Sequence, residues 1–283
     1  MTPSQVMNIS KESSTNFSSY DEVEAPENYP TLQALEDYRD SRLAAFEKYL
    51  PFLKQQQVVS KDTSIVELGS GNSALLYTLE KHGLLSAGTA IELSKSRYNF
   101  AEMWKADKGF AKVVNINSDF SKVEYENSSQ TAFFIINDTL TYLEPENEKY
   151  PDMVFQTAHR TLKKQGKLVV EVPNGDHRDI VELKAKGSRN FWHENAESNP
   201  FKYSLYRQTY SPETNRVKNE SRYISRNFSE KNKVEYSFVY DKRVLTALAE
   251  KYGFANLRWF GSLTGDSFVP SLSPHVVLIA EQP

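Results

Sequence analysis

The residues best suited to chemistry begin at Val66. Val66-Glu67-Leu68-Gly69-Ser70-Gly71-Asn72-Ser73 carries an apolar stretch into a pair of glycines and then directly into a helical pattern. Glycines at such a turn let the backbone bend tightly and let a ligand lie against main-chain N–H groups at the helix start. The spacing Gly69, Gly71, Ala74 fits the nucleotide-cradling pattern G-x-G-x-x-G/A. Glu67 stands two residues before the first glycine, where dinucleotide cradles keep an apolar residue facing the core. A second acid, Glu92, ends the next apolar stretch, where two carboxylate oxygens can take the two hydroxyls of a ribose. Because it closes a strand at the cleft, its removal is expected to disturb folding little.

These residues need a scaffold, and the hydropathy pattern supplies one. Strands are expected at Ser64–Leu68, Gly88–Leu93, Ala111–Ile116, Ala132–Asn137 and Lys167–Val172, with helices at Ala74–His82, Lys95–Trp104 and Glu146–Leu162 between them. The last helix is read as stopped by the basic run Lys163-Lys164-Gln165-Gly166, and Glu144, Glu146 and Glu148 as its acidic N-terminal end. Strands alternating with crossover helices imply a parallel sheet covered on both faces. Upstream, Leu32, Leu35, Tyr38, Leu43, Phe46 and Leu50 recur at helical spacing, with Pro51 marking a bend or a second helix.

After Pro173 the alternation stops. Tyr203–Tyr210, Arg216–Phe228 and Lys233–Tyr240 read as antiparallel strands, with a turn at 212–215. A helix from Asp241 to Tyr252 follows, capped by Asp241 and ended by Gly253, and then strands at Asn256–Gly261 and His275–Ala280. The chain thus divides into a flexible arm (1–30), a helical cap (31–60), a ligand-binding core (61–174), an antiparallel insertion acting as a substrate lid (175–240) and a completion of the core sheet (241–283).

Here the sequence resembles the class I S-adenosylmethionine (SAM)-dependent methyltransferase superfamily. Glu67 to Gly71 resembles its first motif, and Ile91-Glu92-Leu93-Ser94 its ribose-binding acidic position. Asn117-Ser118-Asp119-Phe120 is similar to the segment whose Asp accepts from the adenine amine. Ile135-Ile136-Asn137-Asp138-Thr139-Leu140-Thr141-Tyr142-Leu143 looks like the fourth-strand motif facing the transferred methyl. Leu162 to Leu168 resembles the turn before strand five, with Gln165 in place of proline. The tail from Gly261 to His275 is similar to the closing loop of methyltransferases acting on small molecules and sugars. The resemblance implies an α/β, Rossmann-like, seven-stranded and mostly parallel sheet with helices on both faces, plus the antiparallel insertion. It implies SAM as cofactor, with Glu67, Gly69, Ser70, Gly71, Asn72, Glu92, Leu93, Ser118, Asp119, Phe120 and Asn137 around it.

Methyl transfer is an in-line displacement that needs alignment, and a base when the acceptor is an ammonium or hydroxyl. Asp138 and Tyr142, after the fourth strand, and His177, after the fifth, are the candidate catalytic residues. Asp138 is equally suited to cap the following helix, and His177 and His193 to surface packing. Arg39 and Arg42 could reach the cofactor's carboxylate, although a solvated helix face explains them as well. His275 reads as the structural start of the last strand. The aromatic residues of the insertion are explained by its own core, with one or two free to line a substrate wall.

Composition narrows the field. The formal charge is -3 with no cysteine, so disulfides, zinc thiolates and a Cys nucleophile are absent. An acidic chain without an Asn/Asp-Pro-Pro-Tyr/Phe signature argues against nucleic acid as partner. No apolar run of about 18 residues occurs, so a membrane partner is not expected. The expectation is a cytoplasmic enzyme methylating N or O of a small molecule: an amine, a sugar derivative or a natural-product intermediate. The alternatives are an NAD-dependent oxidoreductase and a non-catalytic SAM-binding regulator.

Overall fold

The computed structural model describes Glu24, Tyr29 and residues 31–195 and 201–283. Apart from Glu24 and Tyr29, the expected arm at 1–30 lies outside the described residues.

Seven strands form the main sheet, in the order β10-β11-β5-β4-β1-β2-β3. β1 (Ser64–Leu68), β2 (Ala87–Glu92), β3 (Val113–Asn117), β4 (Gln130–Ile135) and β5 (Leu162–Pro173) run parallel. β10 (Ala255–Phe260) and β11 (His275–Glu281) complete it, and β11 runs antiparallel to both β5 and β10. Strand order reverses between β1 and β4, so a crevice opens at their C-terminal ends, where open α/β sheets bind ligands. Ala132, Phe133, Phe134 and Ile135 are all fully buried, as a strand covered on both faces requires.

One face of the sheet carries α1 (Leu32–Glu47), α2 (Leu50–Gln55), α3 (Ala74–Lys81) and α4 (Lys95–Lys108), packed around Leu53, Leu76, Trp104 and Phe134. The other carries α5 (Thr139–Glu146), α6 (Tyr150–Thr161) and α8 (Lys242–Lys251), around Phe133, Leu140, Phe155 and Leu245. The caps are local and chemical. Thr31 Oγ1 accepts from Ala34 N, and Asp241 Oδ1 from Val244 N at 2.8 Å. Pro51 sits in the first turn of α2, where its missing N–H costs nothing.

Between β5 and α8 lie α7 (Arg178–Lys186) and an antiparallel sheet of β6 (Ser188–Glu194), β7 (Phe201–Ser211), β8 (Arg216–Ser225) and β9 (Glu230–Phe238). Leu183 of α7 packs on Val217 and Val239. Arg216 of β8 grips Glu144 of α5 through two bonds of 2.9 and 3.0 Å, tying the insertion to the core beside the β4 motif.

Several expected boundaries shift. The helix expected over Glu146–Leu162 is two, because Pro145 ends the first near Glu146 and Pro151 opens the second in its first turn. Glu144 and Glu146 therefore lie at a helix C-terminal end, not an N-terminal one. Residues 162–166 belong to β5 rather than to a helix stop. Leu162 pairs with Gln130, while Gln165 N and Gly166 O bond the chain end at Gln282. Phe228, expected on a strand, occupies a turn at φ 65°. α7 and β6 were not anticipated: α7 lacks a strong apolar run, and β6 is an exposed edge strand.

Gly175 sits where the insertion leaves the core. Its N–H donates to Tyr240 O at 2.7 Å, and a Cβ there would lie 2.5 Å from that oxygen. Gly175→Ala should therefore force the two chain segments apart and cost about 1–3 kcal/mol. Urea unfolding followed by far-ultraviolet circular dichroism checks this, and an unchanged midpoint would contradict it.

Candidate active site

The glycine turn is built as its residue types require. Gly69 and Gly71 take φ of 64° and 58°, a region unfavourable to most side chains. Gly69 N and Ser70 N donate to Ile91 O at 2.9 and 3.1 Å, fastening the turn to the end of β2. A Cβ on Gly69 would meet Thr139 Oγ1 at 2.5 Å, and one on Gly71 would strike the Arg97 guanidinium. The first contact brings the start of α5 against the glycine turn, joining the two motifs that the sequence holds far apart.

Glu92 is buried, and both its oxygens are engaged. Oε2 accepts from Gly71 N at 2.7 Å and Oε1 from Ser94 N at 2.8 Å. The residue thus shapes two loops, so the expectation that its loss would leave the fold undisturbed needs correction. Asn72 donates to Glu24 Oε1 at 2.9 Å, and Arg97 Nε to Glu24 Oε2 at 2.9 Å. Tyr38 Oη also donates to Glu24, whose buried carboxylate thus joins Tyr38, Asn72 and Arg97.

Beyond β3 the pieces form a shallow shelf. Asp119 accepts from Ser121 N at 2.9 Å and from Tyr150 Oη at 3.0 Å. Burial alone would raise its carboxyl, but those hydrogen bonds outweigh it and hold the group below the usual range. Phe120 packs edge-on against Tyr150, Ser118 N donates to Glu92 O, and Leu93 stands 54% exposed beside them. Asn117, which sequence reasoning did not single out, donates its amide to Glu92 O and Leu93 O.

At the end of β4, Asn137 and Asp138 adopt φ of 53° and 64° in succession. Asn and Asp tolerate this region best after glycine, and such conformations collect at functional sites. Asn137 N donates to Glu171 Oε2 at 3.2 Å, and His275 Nε2 lies 3.6 Å from Asp138 Oδ1. Burial raises both carboxyls; the His275 charge works against that at each, and at Glu171 the Asn137 N–H does so too. Glu171 was missed by the sequence reading, and His275, read there as structural, joins the acidic cluster. Tyr142 is half-buried on α5, whereas His177 caps α7 by accepting from Asp179 N through Nδ1 at 3.3 Å. Arg39 is buried against Glu36 and Asp107 and is structural. Arg42 Nε is buried with no hydrogen-bond partner, as are Nε and Nη2 of Arg39.

A family model described as a methyltransferase domain matches residues 59–240. The chain belongs to that family, within the class I SAM-dependent superfamily. It is a methyltransferase, its cofactor is SAM, and the oxidoreductase and non-catalytic alternatives fall away. No curated protein matches it. Solved structures share its fold. The CcbJ methyltransferase from Streptomyces caelestis is 17% identical with a TM-score of 0.69, covering 85% of this chain and 88% of its own. A SAM-dependent methyltransferase from Clostridium acetobutylicum is 14% identical with a TM-score of 0.67, covering 83% and 91%. CalS10, an amino pentose methyltransferase from Micromonospora echinaspora, is 13% identical with a TM-score of 0.54, covering 87% and 91%.

The methyltransferase's own atoms fit such a cofactor. Glu67 Oε2, Ser70 Oγ and Asp138 Oδ1 are buried without hydrogen-bond partners, all at the C-terminal ends of β1 and β4. Buried polar atoms rarely stay unpaired, and two of these three are carboxylate oxygens suited to a cationic ligand. Among the described residues, no group of three or more His, Asp or Glu could hold a metal ion, and no helix is long and apolar enough to cross a membrane.

Burial, reinforced by the nearby Glu92 and opposed by Arg97, pushes the Glu67 carboxyl up to about 8. A carboxyl raised on folding contributes stability that is whole below its unfolded pKa of 4.5 and is lost as pH climbs through about 8. Glu67→Gln removes that loss. It should unfold like the parent near pH 4 and be more stable by at least about 1 kcal/mol at pH 9. Above pH 8, where the parent carboxyl is ionised, it should also bind S-adenosylhomocysteine at least about tenfold more weakly, having lost the charge that faces the ligand. Urea titrations across pH and calorimetry measure the two effects, and parallel stability curves would refute the first.

Proposed function

We propose that this methyltransferase transfers the methyl group of SAM to a nitrogen of a small metabolite: an amine, an aminosugar or an amine-bearing natural-product intermediate. The observation that carries the reading is the convergence of Asp138, Glu171 and His275 at the C-terminal ends of β4 and β5 and the start of β11. Two half-desolvated carboxylates beside the glycine turn suit an ammonium group, and they disfavour anionic acceptors.

In this reading the residues divide by task. The turn at Gly69, Ser70, Gly71 and Asn72 shapes the cradle, its glycines letting the cofactor lie close to the main chain. Glu92 keeps its loop bonds and offers its remaining lone pairs to the ribose. Leu93, Ser118, Asp119 and Phe120 receive the adenine. Glu67, Ser70 and Asn137 line the methionine end, with Arg42 answering its carboxylate. When bound, SAM supplies an electrophilic methyl on a sulfonium. The chain's part is to hold the acceptor in line, keep water away and remove a proton. Asp138 orients the ammonium, and Tyr142, on the first turns of α5, walls the acceptor space. The antiparallel insertion, tied to α5 through Arg216 and Glu144, serves as the lid. The likeness to CalS10, whose description names an amino pentose, is in keeping with this substrate class.

Two measurements test the proposal. Calorimetry should give micromolar binding of S-adenosylhomocysteine, about -8 kcal/mol, and no response to NAD. Labelled SAM offered with a panel of small amines and matched alcohols should yield N-methyl products. Asp138→Asn should then lower turnover roughly ten- to a hundredfold with cofactor affinity unchanged. Methylation confined to the alcohols would overturn the nitrogen reading.

A further inference from the structure

The geometry points to His275 as the residue that takes the acceptor's proton, with Asp138 and Glu171 holding the imidazole for that task. This rests on the nitrogen reading above and adds a residue to it.

Topology puts His275 where it is. The five parallel strands all present their C-terminal ends to the crevice. β11 runs against β5, with His275 paired to Pro173, so its first residue lies at that same edge. An antiparallel strand beside a parallel sheet delivers its opening side chain to the cleft from the far end of the chain. The imidazole stays 40% exposed and the Asp138 side chain 34% exposed, so both reach the crevice instead of being sealed beneath it.

The groups facing the imidazole come from several elements. Asp138 approaches from the end of β4 with Oδ1 at 3.6 Å from Nε2, and that oxygen has no hydrogen-bond partner. Glu171 acts from β5, its charge coupled to His275 and its Oε2 fixed by Asn137 N. Tyr49, just before α2, lies in the field of Glu171, with Arg42 of α1 beyond it. With Nε2 turned towards Asp138, Nδ1 is the nitrogen open to a ligand, and no described residue hydrogen-bonds to it.

The step balances simply. An acceptor ammonium N–H bond breaks, the proton moves to His275 Nδ1, and the electron pair stays on the acceptor nitrogen as the nucleophile. Asp138 and Glu171 stabilise the imidazolium so formed, and the exposed ring then releases the proton to water. Glu171 keeps its bond from Asn137 N throughout. A purely structural His275 would explain none of this: its ring makes no hydrogen bond that supports the fold.

The experiment has two arms. Ring-nitrogen NMR of His275 in the protein bound to S-adenosylhomocysteine needs no acceptor. The neutral ring should carry its proton on Nε2, and Asp138→Asn should shift the tautomer balance measurably towards the Nδ1-protonated form. In the second arm, kcat/KM for the most active amine of the panel should rise with pH along a limb of unit slope. His275→Gln should lose this limb and about a hundredfold in kcat while binding S-adenosylhomocysteine normally. Added imidazole should restore part of the rate to His275→Ala. A tautomer balance unmoved by Asp138→Asn, or a pH limb kept by His275→Gln, overturns the inference and leaves N-methylation standing. Wild-type protein that methylates only alcohols defeats the nitrogen reading, and the proton-acceptor assignment falls with it.

Discussion

Glu92 carries two hydrogen bonds on which the site's shape depends. Its buried carboxylate receives Gly71 N and Ser94 N, one from each of the loops that leave β1 and β2. Each loop is otherwise a helix start with main-chain donors unsatisfied, and a single anion between them answers both at once. Charge-assisted bonds of this kind are short and strong, so the two loops are set relative to each other before any ligand arrives. Asn117 extends the same fastening to the end of β3 by donating to Glu92 O. A ribose would thus find a carboxylate already aimed by the backbone.

The other acids of the crevice are held less comfortably. Glu67 is buried, Asp138 and Glu171 are partly desolvated, and each is raised as a result. A stable fold with no ligand to bind would gain by replacing them with apolar residues of similar volume. Their presence at the topological switch point is in keeping with the proposed amine acceptor and a sulfonium cofactor meeting there.

Much of this was legible in the sequence where the signal is local. The glycine turn, its strand and its helix occupy one continuous segment, and so do the β4 motif and the Asp119 segment; each carries its chemistry within a few residues. Caps such as Asp241 were legible for the same reason. Glu171 was hidden because it reads as one polar residue in an apolar strand, and its meaning comes from Asn137 across the sheet. His275 was hidden because only the reversed direction of β11 brings it to the crevice. The division of the helix after β4 was visible in Pro145 and Pro151, yet the helical periodicity on either side outweighed them. β6 gave no alternation because an edge strand exposed on both faces has no reason to show one.

The β4 end shows how the local and the distant parts meet. Asn137 and Asp138 hold consecutive left-handed conformations that cost free energy and need support from outside the segment. That support comes from Glu171, which takes the Asn137 N–H, and from Thr139, whose side chain wedges against Gly69 where no Cβ intervenes. The turn aims Asp138 away from the helix it precedes, so its carboxylate does not cap α5 and stays available in the crevice. Had Asp138 capped the helix, its oxygens would be occupied by backbone N–H groups and His275 would lose the nearer of its two counter-charges. The strained turn, the small residue at Gly69 and the antiparallel last strand are therefore one arrangement. Together they present a carboxylate and an imidazole at the same edge as the cofactor cradle.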